Sequence, residues 1–372
     1  MFDSHFEAAI LRDDASYCLQ ERSLFSMPVY NPSTHYIDLT RNKYFHALLT
    51  LRHYVRAVSD YYFSVMHEGR NIDLFMLTPS ISSPMGAGSD SEAIAIKFGE
   101  LDSYLVDSSQ FGFEPLLLNG MPMVYCYLPS MRGEDADSRH LNQFFHCEAE
   151  IRGGIGQLFP LIEGYIKALC RALSLMNNIV EKISANPKQT RNAINSVAAA
   201  AAFPRISFDQ ACELLREHGG KGITELAAHR RTITAEGEMR LANLLKLDIP
   251  FWITNYDRDQ VPFYLKPDRR HPEKAINADL IFPPLDGGCF GGEIVGCGER
   301  QDAADELIES LARQGICPRP YEWYIELRRQ PNYSTTSGFG LGIERFLAWA
   351  LCRTNIRDVI AYPRLKNIMT YP

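Results

Sequence analysis

The sequence is short of three things: long apolar runs, paired-cysteine motifs and positive charge. Its longest apolar stretches, such as "SVAAAAAF" at 196–203, fall well short of a membrane-spanning segment. The N-terminus, "MFDSHFEAAILRDD", is acidic and has no apolar core segment, which excludes a signal peptide. A soluble, cytoplasmic protein with no membrane partner is expected. Nine cysteines are scattered from Cys18 to Cys352 without a C-x-x-C pair or clustered histidines. Zinc sites and disulfide frameworks therefore have no signature, and the cysteines read as reduced, mostly buried thiols. The formal net charge of -7 argues against a broad surface that attracts nucleic acid, so DNA is not an expected partner.

What is present is an ordinary globular composition, with 46% hydrophobic and 22% charged residues over 372 positions. Residues 1–43 read as an N-terminal extension with a turn at "NPST". Apolar residues at helical spacing run from Tyr44 to about Met66. They lead into "NIDLFMLTPSISSP", read as a strand, and then a Gly/Ser-rich loop, "MGAGSDSEA". "PMVYCYLPSMRG" and "NQFFHCEAEIRG" form a predicted hairpin joined by a polar connector. Helical patterns dominate an insertion at about 157–245. Strand character returns at "IPFWITNY", "VPFYLKP", "ADLIFPP" and "GGEIVGCG", followed by an amphipathic helix over "ERQDAADELIESLARQG". The order points to an α+β fold, an antiparallel β-sheet flanked by helices, over residues 44–372.

Two segments carry chemistry. In "SGFGLGIERF" at 337–346, alternating glycines strip one face of a strand, which admits either a flat ligand or tight packing. Arg345 then falls at a helix start, where an anion can be held. In "MRGEDADSRHLNQFFHCEAEI" at 131–151, Arg132, Arg139 and His140 ring a hairpin loop with Phe144 at its base. Cations beside an aromatic ring suit a nucleotide, and a solvated loop over core phenylalanines would look the same.

Together these segments resemble the second and third signature motifs of the class II aminoacyl-tRNA synthetases, in the aspartyl/asparaginyl subclass. "MRGE", "RHLNQF" and "CEAEI" match F-R-A-E, R-H-L-x-E-F and the acidic strand, and "GFGLGIER" matches G-F-G-L-G-x-E-R. The helix at 44–66 with "LTPSISSP" and Pro79 is similar to the first, dimer-forming motif. "YLVDSSQFGFE", "PFWITNYDRDQVPFYLK", "GGEIVGCGERQD" and "WYIELRR", the last as a strand, also match, so the resemblance covers about 45–365.

The resemblance implies ATP and Mg²⁺ as cofactors and a role for each matched residue. Arg132 would hold the α-phosphate and the substrate carboxylate, Glu134 the adenine amino group, and Phe144 the adenine ring. Arg139 or His140, with Arg345, would hold the outer phosphates, Arg132 and Arg345 being the catalytic pair. Glu293 would bind metal with either Asp279 or Asp286. Arg300, seven residues after Glu293, would grip the amino acid's side chain, with Gln110 and Glu114 near its ammonium. A homodimer is implied through the first motif.

The sequence departs from the family in places. The family's anticodon-binding barrel is expected to be absent, because only residues 1–43 precede the first motif. Gly298 and Glu299 replace a serine and a glutamine, and "RQPNYSTTSG" lacks the family histidine. The leading expectation is therefore an AMP-forming amide synthetase that adenylates aspartate or a relative and passes it to ammonia or another amine. On this expectation tRNA is not a partner. The alternatives are a paralogue that charges a tRNA or a carrier protein, and a non-catalytic ligand-binding regulator.

Overall fold

The computed structural model describes residues 2–18, 24–82, 91–227 and 229–371. Of the Gly/Ser-rich loop expected at 85–93, residues 85–90 lie outside them. Helix α1 (Ser4–Ala15) is capped by Asp3, whose carboxylate accepts from the His5 and Phe6 N–H groups. After α2 (His35–Arg41), Asn42 caps α3 (Lys43–Asp60), which continues as a π-helical turn over Tyr61–Met66. Phe45, Leu48, Leu51, Val55 and Val58 recur at three- and four-residue spacing and are all buried, so this stripe orients α3. Short strands β1 (Arg70–Asn71), β2 (Leu77–Thr78), β3 (Ala95–Phe98) and β4 (Leu101–Leu105) follow, then α4 (Phe113–Leu118). The long hairpin is β5 (Met123–Met131) and β6 (Gln143–Arg152).

Three helices come next: α5 (Ile155–Leu175), α6 (Asn177–Ile183) and α7 (Pro187–Ala199). Then β7 (Arg205–Ser207) runs into α8 (Phe208–Glu217), whose start is closed by a reciprocal Ser207–Gln210 capping box. The small hairpin β8 (Ile223–Ala227) and β9 (Arg230–Ile233) precedes α9 (Ala235–Leu244). The chain finishes with β10 (Phe251–Thr254), β11 (Asn277–Phe282), β12 (Gly292–Glu299), α10 (Ala304–Arg313), α11 (Glu322–Leu327), β13 (Thr336–Gly342) and α12 (Ile343–Ala350).

The main sheet has eight strands in the order β1-β5-β6-β13-β12-β11-β10-β7. Its interior pairs are antiparallel, and the edge strands β1 and β7 add parallel pairs. Alternation on β6 decides which face does what. Cys147, Ala149 and Ile151 join the apolar core with α3, α5, α6, α7 and α12, while His146, Glu148 and Glu150 take the other face. Phe339 and Leu341 of β13 follow the same rule, leaving Gly338 and Gly340 on the polar side.

Three local expectations give way. "VPFYLKP" is not a strand: Pro262 and Pro267 interrupt it, and it meets its neighbours only at single bridges, Leu265 to Arg300 and Pro267 to Ala275. "WYIELRR" is helical, because burial of Tyr321, Tyr324 and Ile325 follows helical rather than alternating spacing. The 157–245 insertion also holds strand β7 and the β8–β9 hairpin, so it is not wholly helical.

Candidate active site

The alternating glycines form the floor of the site. Gly338 pairs with Gly298 and Glu150, and Gly340 with Gly296 and Glu148, across three adjacent strands. A Cβ at Gly338 would lie 2.5 Å from Arg300 Nη2 and 2.8 Å from Glu150 Oε2. That glycine is required by a buried ion pair beside it, as well as by any ligand above it. Arg345 lies in the first turn of α12, and its neighbour Glu344 is buried, pairing with Arg52 at 2.7 Å and accepting the Phe145 N–H. This contact locks α12 to α3 and β6, and so fixes where Arg345 starts.

At one end of the floor, a cavity of about 100 Å³ is lined by Arg132, Glu134, Arg139, His140, Phe144, Glu293 and Arg345. The Arg132 guanidinium lies 5.2 Å from the Phe144 ring centre, and its buried Nε has no protein acceptor. Arg345 Nη1 lies 3.2 Å from Glu293 Oε2, and its Nη2 is 3.4 Å from His140 Nε2. Asp137 orders the loop by accepting the backbone N–H groups of Arg139 and His140. Arg139 donates to the Gly291 carbonyl at 2.7 Å and sits 4.3 Å over the Phe290 ring. Burial, and then the neighbouring Arg345 charge, lower its pKa. Glu134 accepts the Glu92 N–H through its carboxylate. Four basic side chains from two distant segments thus surround one small space, an arrangement that suits a polyanion beside a flat ring.

A second cavity of about 350 Å³ adjoins it, lined by Gln110, Glu148, Arg231, Asp279, Arg300 and both floor glycines among others. Arg300 is buried and pairs with Glu150 at 3.1 Å, while Thr336 donates to the other Glu150 oxygen. Glu148 accepts from Ser108 Oγ at 2.6 Å and from the Ser109 N–H at 2.8 Å. Burial raises its pKa against those hydrogen bonds. His146 spans both cavities, hydrogen-bonded to Ser130, and burial holds its pKa well below the usual histidine range.

Glu114 does not join this site. It is fully buried, 2.8 Å from Arg328, and also accepts from the Tyr324 and Tyr333 hydroxyls. Gln110 precedes α4 and faces the cavity; one helical turn later Glu114 points the other way, into the core. Of Asp279 and Asp286, only Asp279 lies beside Glu293. A Cβ at Gly296 would lie 3.2 Å from Glu293 Oε1 and 3.5 Å from Asp279 Oδ1, so those two carboxylates converge. Asp286 sits on an exposed loop, where it accepts from Asn186, and is not part of the group.

Glu238 on α9 was not legible beforehand. Its carboxylate accepts the Glu293 N–H at 2.8 Å, and burial with the Glu293 charge pushes its pKa up to about 7. Burial, and then Glu293 and Glu238, also raise the Asp279 pKa. Crowded carboxylates of this kind repel one another and favour a bound cation. Among the described residues no three His, Cys, Asp or Glu side chains converge tightly enough to hold a metal alone. The donor set fits a hard ion that takes part of its shell from a ligand's oxygens. Glu148 had a legible signal in the two-residue spacing of "EAE" on one strand face; Glu238 had none outside the fold.

Among the described residues no helix is long and apolar enough to cross a membrane. The profile of the family "tRNA synthetases class II (D, K and N)" matches residues 30–366. Asparagine--tRNA ligase of Thermococcus gammatolerans is 31% identical over 283 residues, 74% of this chain and 60% of the relative. That of Pyrococcus abyssi is 32% identical over 275 residues, 72% of this chain and 58% of the relative. The chain thus spans about 60% of the length of these curated relatives. Asparaginyl-tRNA synthetase of Pyrococcus horikoshii, solved with asparaginyl-adenylate, superposes with a TM-score of 0.79 at 24% identity, covering 92% of this chain and 74% of that one. Aspartyl-tRNA synthetase of Entamoeba histolytica gives 0.69 at 18% identity, covering 98% and 68%; both likenesses concern the fold. The relatives overturn the expectation that tRNA is not a partner, because the matched curated proteins are tRNA ligases. Net charge averages over a surface and does not decide whether one face takes an RNA.

Proposed function

Since the chain belongs to the class II tRNA synthetases of the D, K and N group, we propose that it activates asparagine with ATP and transfers it to a tRNA. Aspartate amidation, the leading expectation from the motifs alone, yields to this reading because the curated relatives are asparagine--tRNA ligases.

In the proposed reaction a carboxylate oxygen of the amino acid attacks the α-phosphorus of ATP in line, and pyrophosphate leaves. A tRNA ribose hydroxyl then attacks the carbonyl of the mixed anhydride, and AMP leaves. Two anions must meet in the first step, so fixed cations supply much of the rate. Arg132 is the residue for the α-phosphate, its buried Nε being free for an acceptor. Arg345, Arg139 and His140 take the outer phosphates, while Phe144 supports the adenine and Glu134 accepts from its amino group. Mg²⁺ would be held by Glu293 and Asp279 and would neutralise phosphate charge when bound. Glu238 keeps the Glu293 backbone in place through its N–H.

The second cavity supports a carboxamide over a carboxylate. Arg300 offers donors to a side-chain oxygen, but Glu150 already neutralises its charge. Glu148 offers an acceptor to an amide N–H and would repel a second carboxylate. Gln110 lies near the remaining polar end. Leu49, Val65 and Met66 leave apolar side chains exposed along α3 and its π turn, which supports pairing of two copies there. ATP and tRNA as substrates fit a cytoplasmic enzyme.

The observation that carries the proposal is the family match joined to the meeting of Arg132 and Arg345 around one cavity. ATP–pyrophosphate exchange with asparagine and with aspartate, followed by charging of total tRNA, tests it. Asparagine-dependent exchange and tRNA charging are expected. Exchange with aspartate only, with asparagine accumulating on addition of ammonium, would overturn it in favour of an amide synthetase.

A further inference from the structure

Composition alone gives the nine cysteines no partners, yet the fold brings two of them together. Cys289 lies on the loop between β11 and β12, and Cys352 lies just past the end of α12, 63 positions later. Their sulfurs are 2.7 Å apart, and the Cys289 thiol also donates to the Cys352 carbonyl at 3.2 Å. The backbone is laced at the same place: the Phe290 N–H donates to the Arg353 carbonyl at 2.9 Å. The two sulfurs are thus already in contact, with a backbone hydrogen bond between the residues that follow them holding the two segments together.

The two positions differ in access. Asp286, Gly287 and Gly288 are exposed, and Cys289 beside them is half-buried. Cys352 is 2% exposed, in the left-handed conformation (φ 53°) that ends α12. An oxidant from solvent therefore meets Cys289 first and finds Cys352 behind it as the second thiol. A reachable sulfur with a second, sheltered one in contact is the arrangement of an attacking and a resolving thiol.

We propose that Cys289 and Cys352 are an oxidation site that closes to an intramolecular disulfide when the protein meets a peroxide. The Cys289 thiolate attacks a peroxide oxygen; the O–O bond breaks, giving a sulfenic acid and, with the released proton, one water. The Cys352 sulfur then attacks the Cys289 sulfur, the S–O bond breaks, and a second water leaves carrying the Cys352 proton. Two thiols and one peroxide become one disulfide and two waters. The bond would tie the β11–β12 loop to the end of α12. That loop supplies the Gly291 carbonyl and the Phe290 ring that Arg139 touches. The modification therefore lies one residue from groups that position a basic side chain of the site, without using any of them.

Intact-mass measurement and peptide mapping of the full chain, before and after a mild excess of hydrogen peroxide, test this. The expected product is lighter by the mass of two hydrogens, yields a linked peptide pair containing Cys289 and Cys352, and returns to the starting mass with dithiothreitol. In Cys352→Ser the same treatment should leave Cys289 as a sulfenic acid or its overoxidised forms, trapped by dimedone, with no linked pair. Recovery of Cys289 joined to Cys18 or Cys317, or oxidised with Cys352 still a free thiol in the wild type, would overturn the proposal. The readout is mass, so it stands apart from any failure of the proposed ligase activity.

Discussion

Glu114→Gln separates a structural carboxylate from a substrate-binding one. Glu114 and Arg328 are both buried, 2.8 Å apart, with side chains 1% and 0% exposed. Removing one charge of such a pair leaves the other uncompensated, which costs about 3–5 kcal/mol. Glutamine keeps the shape and one acceptor oxygen, and Arg328 retains its bonds to the Gln301 and Tyr324 carbonyls, so the lower end applies. Unfolding entropy of about 2.1 cal/mol/K per residue over 372 residues is about 0.8 kcal/mol/K. A loss of about 3 kcal/mol then lowers Tm by about 4 °C. Differential scanning calorimetry should show that drop, and Glu114→Met/Arg328→Met should recover only part of it, because the apolar pair removes the unpaired charge but leaves the buried Tyr324 hydroxyl without its acceptor. At a temperature where both proteins are folded, the KM for the amino acid should be unchanged. A variant with unaltered Tm and a KM raised tenfold would refute this placement and return Glu114 to the substrate.

Other outcomes follow from the same geometry. Arg132→Ala and Arg345→Ala should each cut pyrophosphate exchange by about 100-fold or more with little change in Tm, since each removes a donor to developing charge. Asp279→Asn should raise the Mg²⁺ concentration needed for half-maximal exchange, and Asp286→Asn should not; equal effects would contradict the pairing of Asp279 with Glu293. Asp257 is buried; burial raises its pKa, but hydrogen bonds from Arg231 and Lys274 outweigh that and lower it below 3.8. Its stabilisation is complete above the ordinary aspartate range and is lost as pH falls through the lower folded value. The difference in urea midpoint between the wild type and Asp257→Asn should be large at neutral pH and shrink below about pH 4.

The basic cluster around the smaller cavity could be read along the chain because its members sit in two short, continuous segments. Arg132 through Phe144 share one hairpin, and Arg345 follows a glycine-marked strand directly. The hairpin itself was legible from alternation and turn residues. What failed were judgements that depend on a face or on distance. Glu114 matched a motif position, yet one turn of α4 aims it at Arg328. "WYIELRR" mixes apolar and charged residues over too few positions for period two and period 3.6 to be told apart. Asp286 is nearer to Glu293 in sequence, but strand pairing brings Asp279 to it across β11 and β12. Glu238 comes from an inserted helix, and only the tertiary fold delivers it to the site.

Direct titration of the protein with ATP in the presence of Mg²⁺, for the wild type, Arg132→Ala, Arg345→Ala and the double variant, is the sharpest measurement. If one nucleotide lies between the two guanidinium groups, each single change weakens ATP binding at least tenfold and the double variant departs from additivity. Undiminished ATP affinity in both single variants would contradict it.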